Sequence, residues 1–103
     1  MINVSVMYPS GEGKTFDMDY YLSTHFALVR EVFGDALKNI RVDRGLSGPF
    51  PGSTPPYLVL CHLTFDSVES FAAIMMPNAA RIMEDLPNFT NASPTIQISE
   101  VVQ

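Results

Sequence analysis

Ile2, Val4, Val6 and Tyr8 alternate with other residues, and this two-residue period predicts a strand with one apolar face, stopped by Pro9-Ser10-Gly11. From Asp17 the period lengthens. Met18, Leu22, Phe26, Val29 and Phe33 recur at helical spacing, with Tyr21, His25, Leu28 and Val32 on an adjoining stripe. A helix is expected over residues 17 to 33, capped by Asp17, favoured by Asp19 at its positive end and closed by Gly34. Its apolar arc is wide enough to touch two surroundings. Residues 37 to 46 return to alternation, with Ile40 and Val42 opposite Arg41 and Asp43, and predict a second strand.

Residues 57 to 65 (YLVLCHLTF) are apolar at both alternating sets of positions, the mark of a central strand covered on each side. Asp66 or Ser67 opens a second helix carrying Val68, Phe71, Ala72 and Met75. Pro77 is expected to break or kink it before a short continuation through Ala80, Ile82 and Met83. Residues 95 to 102 complete the set as a last strand. The order is strand, helix, strand, strand, helix, strand, which implies an α+β fold: a ferredoxin-like βαββαβ unit with a four-stranded antiparallel sheet and both helices on one face. Apolar residues on both sides of the third strand, with Ile96 and Ile98 opposite Val101 on the fourth, predict a greasy second sheet face. A second copy of the chain covering that face, as a homodimer with a cavity between or within the sheets, is the economical solution.

Composition narrows the function classes. At 103 residues there is room for one core only, so residues 1 to 103 read as a single domain. Six basic residues against eleven acidic ones give a net charge of −5, and the basic residues form no run, which argues against nucleic acid and membrane surfaces as partners. No apolar stretch is long enough for a membrane span, and no signal-peptide pattern opens the chain. The lone Cys61 cannot make an internal disulfide, consistent with a cytoplasmic setting. The sequons Asn88-Phe89-Thr90 and Asn91-Ala92-Ser93 would matter only in a secreted protein.

Few residues offer chemistry. Gly13-Lys14-Thr15 lacks the glycine that a phosphate-binding loop needs five positions earlier, where Tyr8 stands. Cys61 and His62 are neighbours on a strand and point to opposite faces, so they do not form a nucleophile and base pair, and the two histidines have no ligand spacing for a metal. His25 is the better candidate. Tyr21 lies one helical turn before it, and a neutral imidazole on that stripe can take a proton while the phenol donates to a carbonyl or enolate oxygen. Residues 45 to 56, with three glycines and four prolines, predict a long lid-like loop whose bulky apolar residue is Phe50.

The run Phe16-Asp17-Met18-Asp19-Tyr20-Tyr21-Leu22-Ser23-Thr24-His25, followed by Leu28-Val29, is similar to the signature of the EthD family, named for ethyl tert-butyl ether degradation. Pro56-Tyr57, residues 60 to 71, residues 85 to 90 and residues 94 to 100 continue the likeness over nearly the whole chain. The resemblance implies a dimeric α+β barrel, in which two ferredoxin-like subunits pack sheet against sheet, and it carries over to Tyr21 and His25 as site residues. Related barrels include lactone isomerases, polyketide cyclases, decarboxylases and monooxygenases, so the fold does not select the reaction. Relatives often carry histidine where this chain has Asn78, so the resemblance does not extend to cyclase chemistry at that position.

The expectation is a cofactor-free catabolic or tailoring enzyme that binds a small hydrophobic carbonyl or phenolic compound. His25 and Tyr21 would be catalytic, with Phe50, His62 and Asn78 as candidate ligand-binding residues. The alternative is a non-catalytic protein that holds such a ligand for an ether- or aromatic-degrading oxygenase.

Overall fold

The computed structural model describes residues 1–103, and its elements follow the predicted order. Strand β1 (Ile2–Pro9) leads to helix α1 (Met18–Tyr20), where Asp17 accepts from the Tyr20 N–H at 3.1 Å. The helix does not run on regularly. Tyr21–His25 form one π-helical turn, in which the Phe26 N–H reaches back to Tyr21 O, before helix α2 (Phe26–Phe33) resumes. Ser23 Oγ donates to Asp19 O at 2.6 Å, and side-chain back-bonding of this kind to the carbonyl four residues earlier bends helices. Gly34 ends α2 with φ +52°, a conformation that residues with a Cβ rarely adopt.

The inserted residue changes which side chains face inward. The sequence pattern places Leu22 on the main apolar stripe, yet Leu22 is exposed, whereas Tyr21, His25, Phe26, Val29 and Phe33 are buried together. A single wide turn has merged two stripes into one face.

Strands β2 (Asn39–Arg44), β3 (Tyr57–Phe65) and β4 (Thr95–Glu100) join β1 in one antiparallel sheet of order β2-β3-β1-β4. The two edge strands are shorter than expected, and β3 has the predicted limits. Helix α3 (Val68–Met83) starts at a reciprocal cap: the Ser70 N–H donates to Ser67 Oγ and the Ser67 N–H to Ser70 Oγ. Pro77 does not break it. The proline and Ala73, whose carbonyl loses its donor, both lie on the exposed side where water can serve, and Asn78 Nδ2 donates to the next carbonyl, Ile74 O, at 2.8 Å.

The register sorts the sheet into two unlike faces. Pairs Val4↔Leu63, Val6↔Cys61 and Tyr8↔Val59 on the central strands, Ile40 and Val42 on β2, and Ile96 and Ile98 on β4 all turn toward the helices. The other face carries Asn3, Ser5, His62, Thr64, Asn39, Arg41, Gln97 and Ser99, with Met7 and Leu60 at one end. The expectation of a greasy second face is therefore corrected: Ile96 and Ile98 lie on the helix side, and the outward face is mostly polar. Exposed ion pairs such as Arg81–Glu31 (2.9 Å) contribute about 0–1 kcal/mol each, so apolar packing between helices and sheet holds the fold.

Candidate functional site

A cavity of about 60 Å³ lies between the helices and the sheet. Its lower end is hydrocarbon, formed by Val4 and Leu63 from the sheet and Phe33 and Phe71 from the helices, and its upper end carries Tyr8, Tyr21, His25 and Cys61. Met83 and Ile96, both partly exposed, line it as well, so it reaches solvent between the end of α3 and the edge strand β4. The space exceeds what one water needs, and its lining is almost entirely apolar.

His25 is 4 % exposed. Its Nδ1 lies 2.9 Å from Asp85 Oδ2, while Asp85 Oδ1 accepts from the Tyr20 hydroxyl at 2.7 Å and from Asn88 Nδ2 at 3.0 Å. A proton on Nδ1 donates to the carboxylate, which leaves Nε2 of the neutral ring as the acceptor. No protein group bonds to Nε2, which keeps some accessible surface, and the His25 side chain is among those that line the cavity. Tyr21 stacks on one side of the imidazole (5.5 Å between centroids, 11° between planes), and Phe89 packs against it at 4.7 Å. The ring cannot turn without displacing both.

Sixty residues separate His25 from Asp85, and the chain brings them together through a latch between two loops. Asp17 N–H donates to Phe89 O at 2.7 Å, Phe16 and Thr90 form an isolated bridge, and Thr90 Oγ1 donates to Thr15 O at 2.7 Å. Asn91 adds bonds to Thr15 N–H and Gly13 O. The segment after α3 is thereby tied to the start of α1, which sets Asp85 against the π turn.

Charge at the site follows from these bonds. Burial acts to raise the Asp85 carboxyl, but hydrogen bonds from Tyr20, Asn88 and His25 outweigh it and hold the group below the usual carboxylate value. The bond to that carboxylate raises the Tyr20 phenol, which stays a donor. Burial pushes the Tyr21 phenol far above its ordinary range and does the same for Tyr8, against a smaller lowering by Tyr21. Cys61 is pushed up to about 11 by burial, so it is a neutral thiol near pH 7 and a poor nucleophile.

A depressed carboxyl stabilises the fold at pH values above its unfolded value, ~3.9, and that contribution disappears as pH falls through the lower folded value. Wild-type protein is expected to unfold at higher urea than Asp85→Asn at about pH 6, with the two midpoints converging below about pH 4. Midpoints that stay parallel down to acid pH would show that Asp85 takes no ionised part in the network.

The structure brings Tyr21 and His25 together as the sequence suggested. It does not bring the other candidates to them. His62 is on the opposite sheet face, where its Nδ1 lies 2.9 Å from Ser5 Oγ; Phe50 is 73 % exposed on its loop; Asn78 is engaged with its own helix. None of the three lines the cavity. Sequence reasoning missed Asp85 and Tyr8 as site residues. Asp85 stands in one of the segments that resemble the EthD family, yet no local pattern links it to His25.

A family model described as EthD domain matches residues 10–93, from the first loop through the Asp85 segment. The chain belongs to the EthD family. An EthD-like protein of Ralstonia eutropha JMP134 superposes with a TM-score of 0.93 at 40 % identity, over 99 % of this chain and 92 % of that one. An EthD family protein of Bacillus halodurans C-125 shares the fold (TM-score 0.67, 21 % identity, 99 % of each chain). So does an Arabidopsis thaliana protein (TM-score 0.69, 12 % identity, 100 % of this chain and 97 % of that one). No functionally curated protein matches the sequence. In this EthD chain no helix is long and apolar enough to cross a membrane, and no three His, Cys, Asp or Glu side chains gather as metal ligands.

Proposed function

We propose that this protein binds a small hydrophobic carbonyl or phenolic compound in the cavity and transfers a proton with His25, without a cofactor. The observation that carries the reading is the placement of His25, with Nδ1 held on Asp85, Nε2 free of any protein partner, and the ring lining an apolar cavity. A carbon acid beside a carbonyl would lose its proton to Nε2, and Asp85 would stabilise the imidazolium that results. Tyr21, protonated at any ordinary pH, would donate to the enolate oxygen. Water is largely excluded by the apolar lining, so both interactions gain strength over their values in solution.

The test uses phenylacetone, a carbonyl probe with acidic benzylic protons, incubated with the protein in deuterium oxide. Faster benzylic deuteration than in a solution of free imidazole at equal concentration is expected, measured by proton NMR. Binding without exchange would discard the enzyme reading in favour of a protein that holds its ligand for a partner oxygenase. Oxygen uptake in the same vessel would replace proton transfer with oxygenation.

The homodimer reading rests on narrower ground than the sequence suggested. Met7 and Leu60 form the apolar end of the outward face, and a second copy laid on that face would cover it. Leu60→Glu is expected to shift wild-type dimer to monomer in sedimentation equilibrium while leaving the cavity on the far side of the sheet intact. A wild-type monomer at micromolar concentration would end this reading.

A further inference from the structure

Both oxygens of Asp85 are committed. Oδ2 lies 2.9 Å from His25 Nδ1, while Oδ1 accepts from the Tyr20 hydroxyl at 2.7 Å and from Asn88 Nδ2 at 3.0 Å. The Tyr20 bond has the short length typical of a hydroxyl donating to an ionised carboxylate. With Oδ1 held twice, the carboxylate cannot turn without giving up both bonds, and Oδ2 has one place to meet the imidazole.

Tyr20 and His25 stand five residues apart, a spacing at which side chains on a regular α-helix do not converge. At about 100° per residue, five steps leave the second side chain turned about 140° from the first. The segment between them is instead a π turn, Tyr21–His25, in which the Phe26 N–H bonds to Tyr21 O five residues back. That wider turn brings the Tyr20 hydroxyl and the His25 ring to the same carboxylate. Single π turns inside α-helices are frequent at functional sites.

The tyrosine is also braced. Its ring lies nearly parallel to that of Phe89 (26° between planes, 6.2 Å between centroids), and Phe89 packs in turn against the imidazole at 4.7 Å. Tyr20 and His25 therefore share two supports, one carboxylate and one aromatic ring. Tyr20 does not line the cavity, so its hydroxyl reaches the ligand space only through Asp85 and His25.

We infer that Tyr20 is a positioning residue for His25: its hydroxyl anchors Asp85 Oδ1 so that Oδ2 orients the imidazole, and the π turn is what lets the two side chains share that carboxylate. This deepens the proposed function and rests on its reading of His25 as the base. Asn88 bonds to the same oxygen, so loss of the Tyr20 hydroxyl weakens the anchor without abolishing it.

Tyr20→Phe keeps the ring on Phe89 and removes only the hydroxyl. Benzylic exchange of phenylacetone in deuterium oxide is expected to fall about tenfold in kcat with KM unchanged, the loss of one bond to a charged group. Propylbenzene, which needs none of these groups, should bind as it does to wild type. In ordinary water the His25 Nδ1 proton, followed by nitrogen-15-edited NMR, should exchange with solvent faster in the variant. In an Asp85→Ala background the same substitution should cost nothing further, since residues that work as a unit do not add. Either an unchanged kcat or an unchanged lifetime of the Nδ1 proton would overturn the role of Tyr20, and so would a loss that persists in Asp85→Ala. Failure of the proton-transfer reading is distinguishable. If wild type exchanges no benzylic deuterium, that reading falls, and the Nδ1 proton alone decides whether Tyr20 orients the imidazole, an equal lifetime in Tyr20→Phe counting against it. If Tyr20→Phe loses propylbenzene binding, and so its fold, an NOE in wild type between the Tyr20 hydroxyl proton and the His25 Nδ1 proton decides, and its absence counts against the inference.

Discussion

His25→Gln is expected to slow benzylic exchange of phenylacetone by about 10²- to 10⁴-fold, the usual contribution of a positioned general base. That range corresponds to ~3–5 kcal/mol of barrier. Asp85→Asn should cost less, because Nε2 remains in place while the ring loses its charged partner. The informative variant is the double one. If Asp85 acts only through the imidazole, His25→Gln/Asp85→Asn will be no slower than His25→Gln, since residues that work as a unit do not add. Additive losses would mean that Asp85 touches the substrate or the fold independently. Ligand affinity for propylbenzene, which needs neither group, serves as the check that each variant is folded.

The second large effect concerns stability. Phe65→Ala should lower the unfolding free energy by about 3–5 kcal/mol, as expected for an aromatic residue cut from a core. Phe65 is fully buried and packs at 5.1 Å against both Phe33 and Phe71, which pins α2 and α3 to β3 at the lower end of the cavity. Urea titration measures the loss. A change below about 1 kcal/mol would mean that the helices settle on the sheet without it. Small domains commonly have only 5–15 kcal/mol in total, so this substitution should bring the protein close to its unfolding threshold.

Much of the fold was legible in the chain because alternation and helical periodicity are local signals. Residues 57 to 65 read as a central strand and are one, and Gly34 and Ser67 bound helices where the chemistry of glycine and serine says they should. Of the two outcomes expected at Pro77, a break or a kink, the break does not occur, because a local rule met a tertiary circumstance: the helix runs on where Pro77 and Ala73 are exposed and Asn78 serves the neighbouring carbonyl. The faces of the sheet were misread for a related reason. Periodicity shows that two faces differ, but only strand register shows that Ile96 and Ile98 stand with Val6 and Val4 under the helices.

The candidate site divides in the same way. Tyr21 and His25 could be found because they are four residues apart on one element, and the EthD resemblance falls on the same pair. Asp85 and Tyr8 could not, since no periodicity links residues that meet only after β1, the π turn and the segment beyond α3 have packed together.

By itself, then, the sequence determined the element order and the α+β class, and it pointed to His25 beside Tyr21, because each of these readings depends on neighbours a few residues away. Tertiary structure alone decided which carboxylate holds that imidazole, which phenols line the cavity beside it, and which sheet face is apolar. Those properties depend on distances between segments 60 or more residues apart, and such distances exist only once the chain has closed on itself.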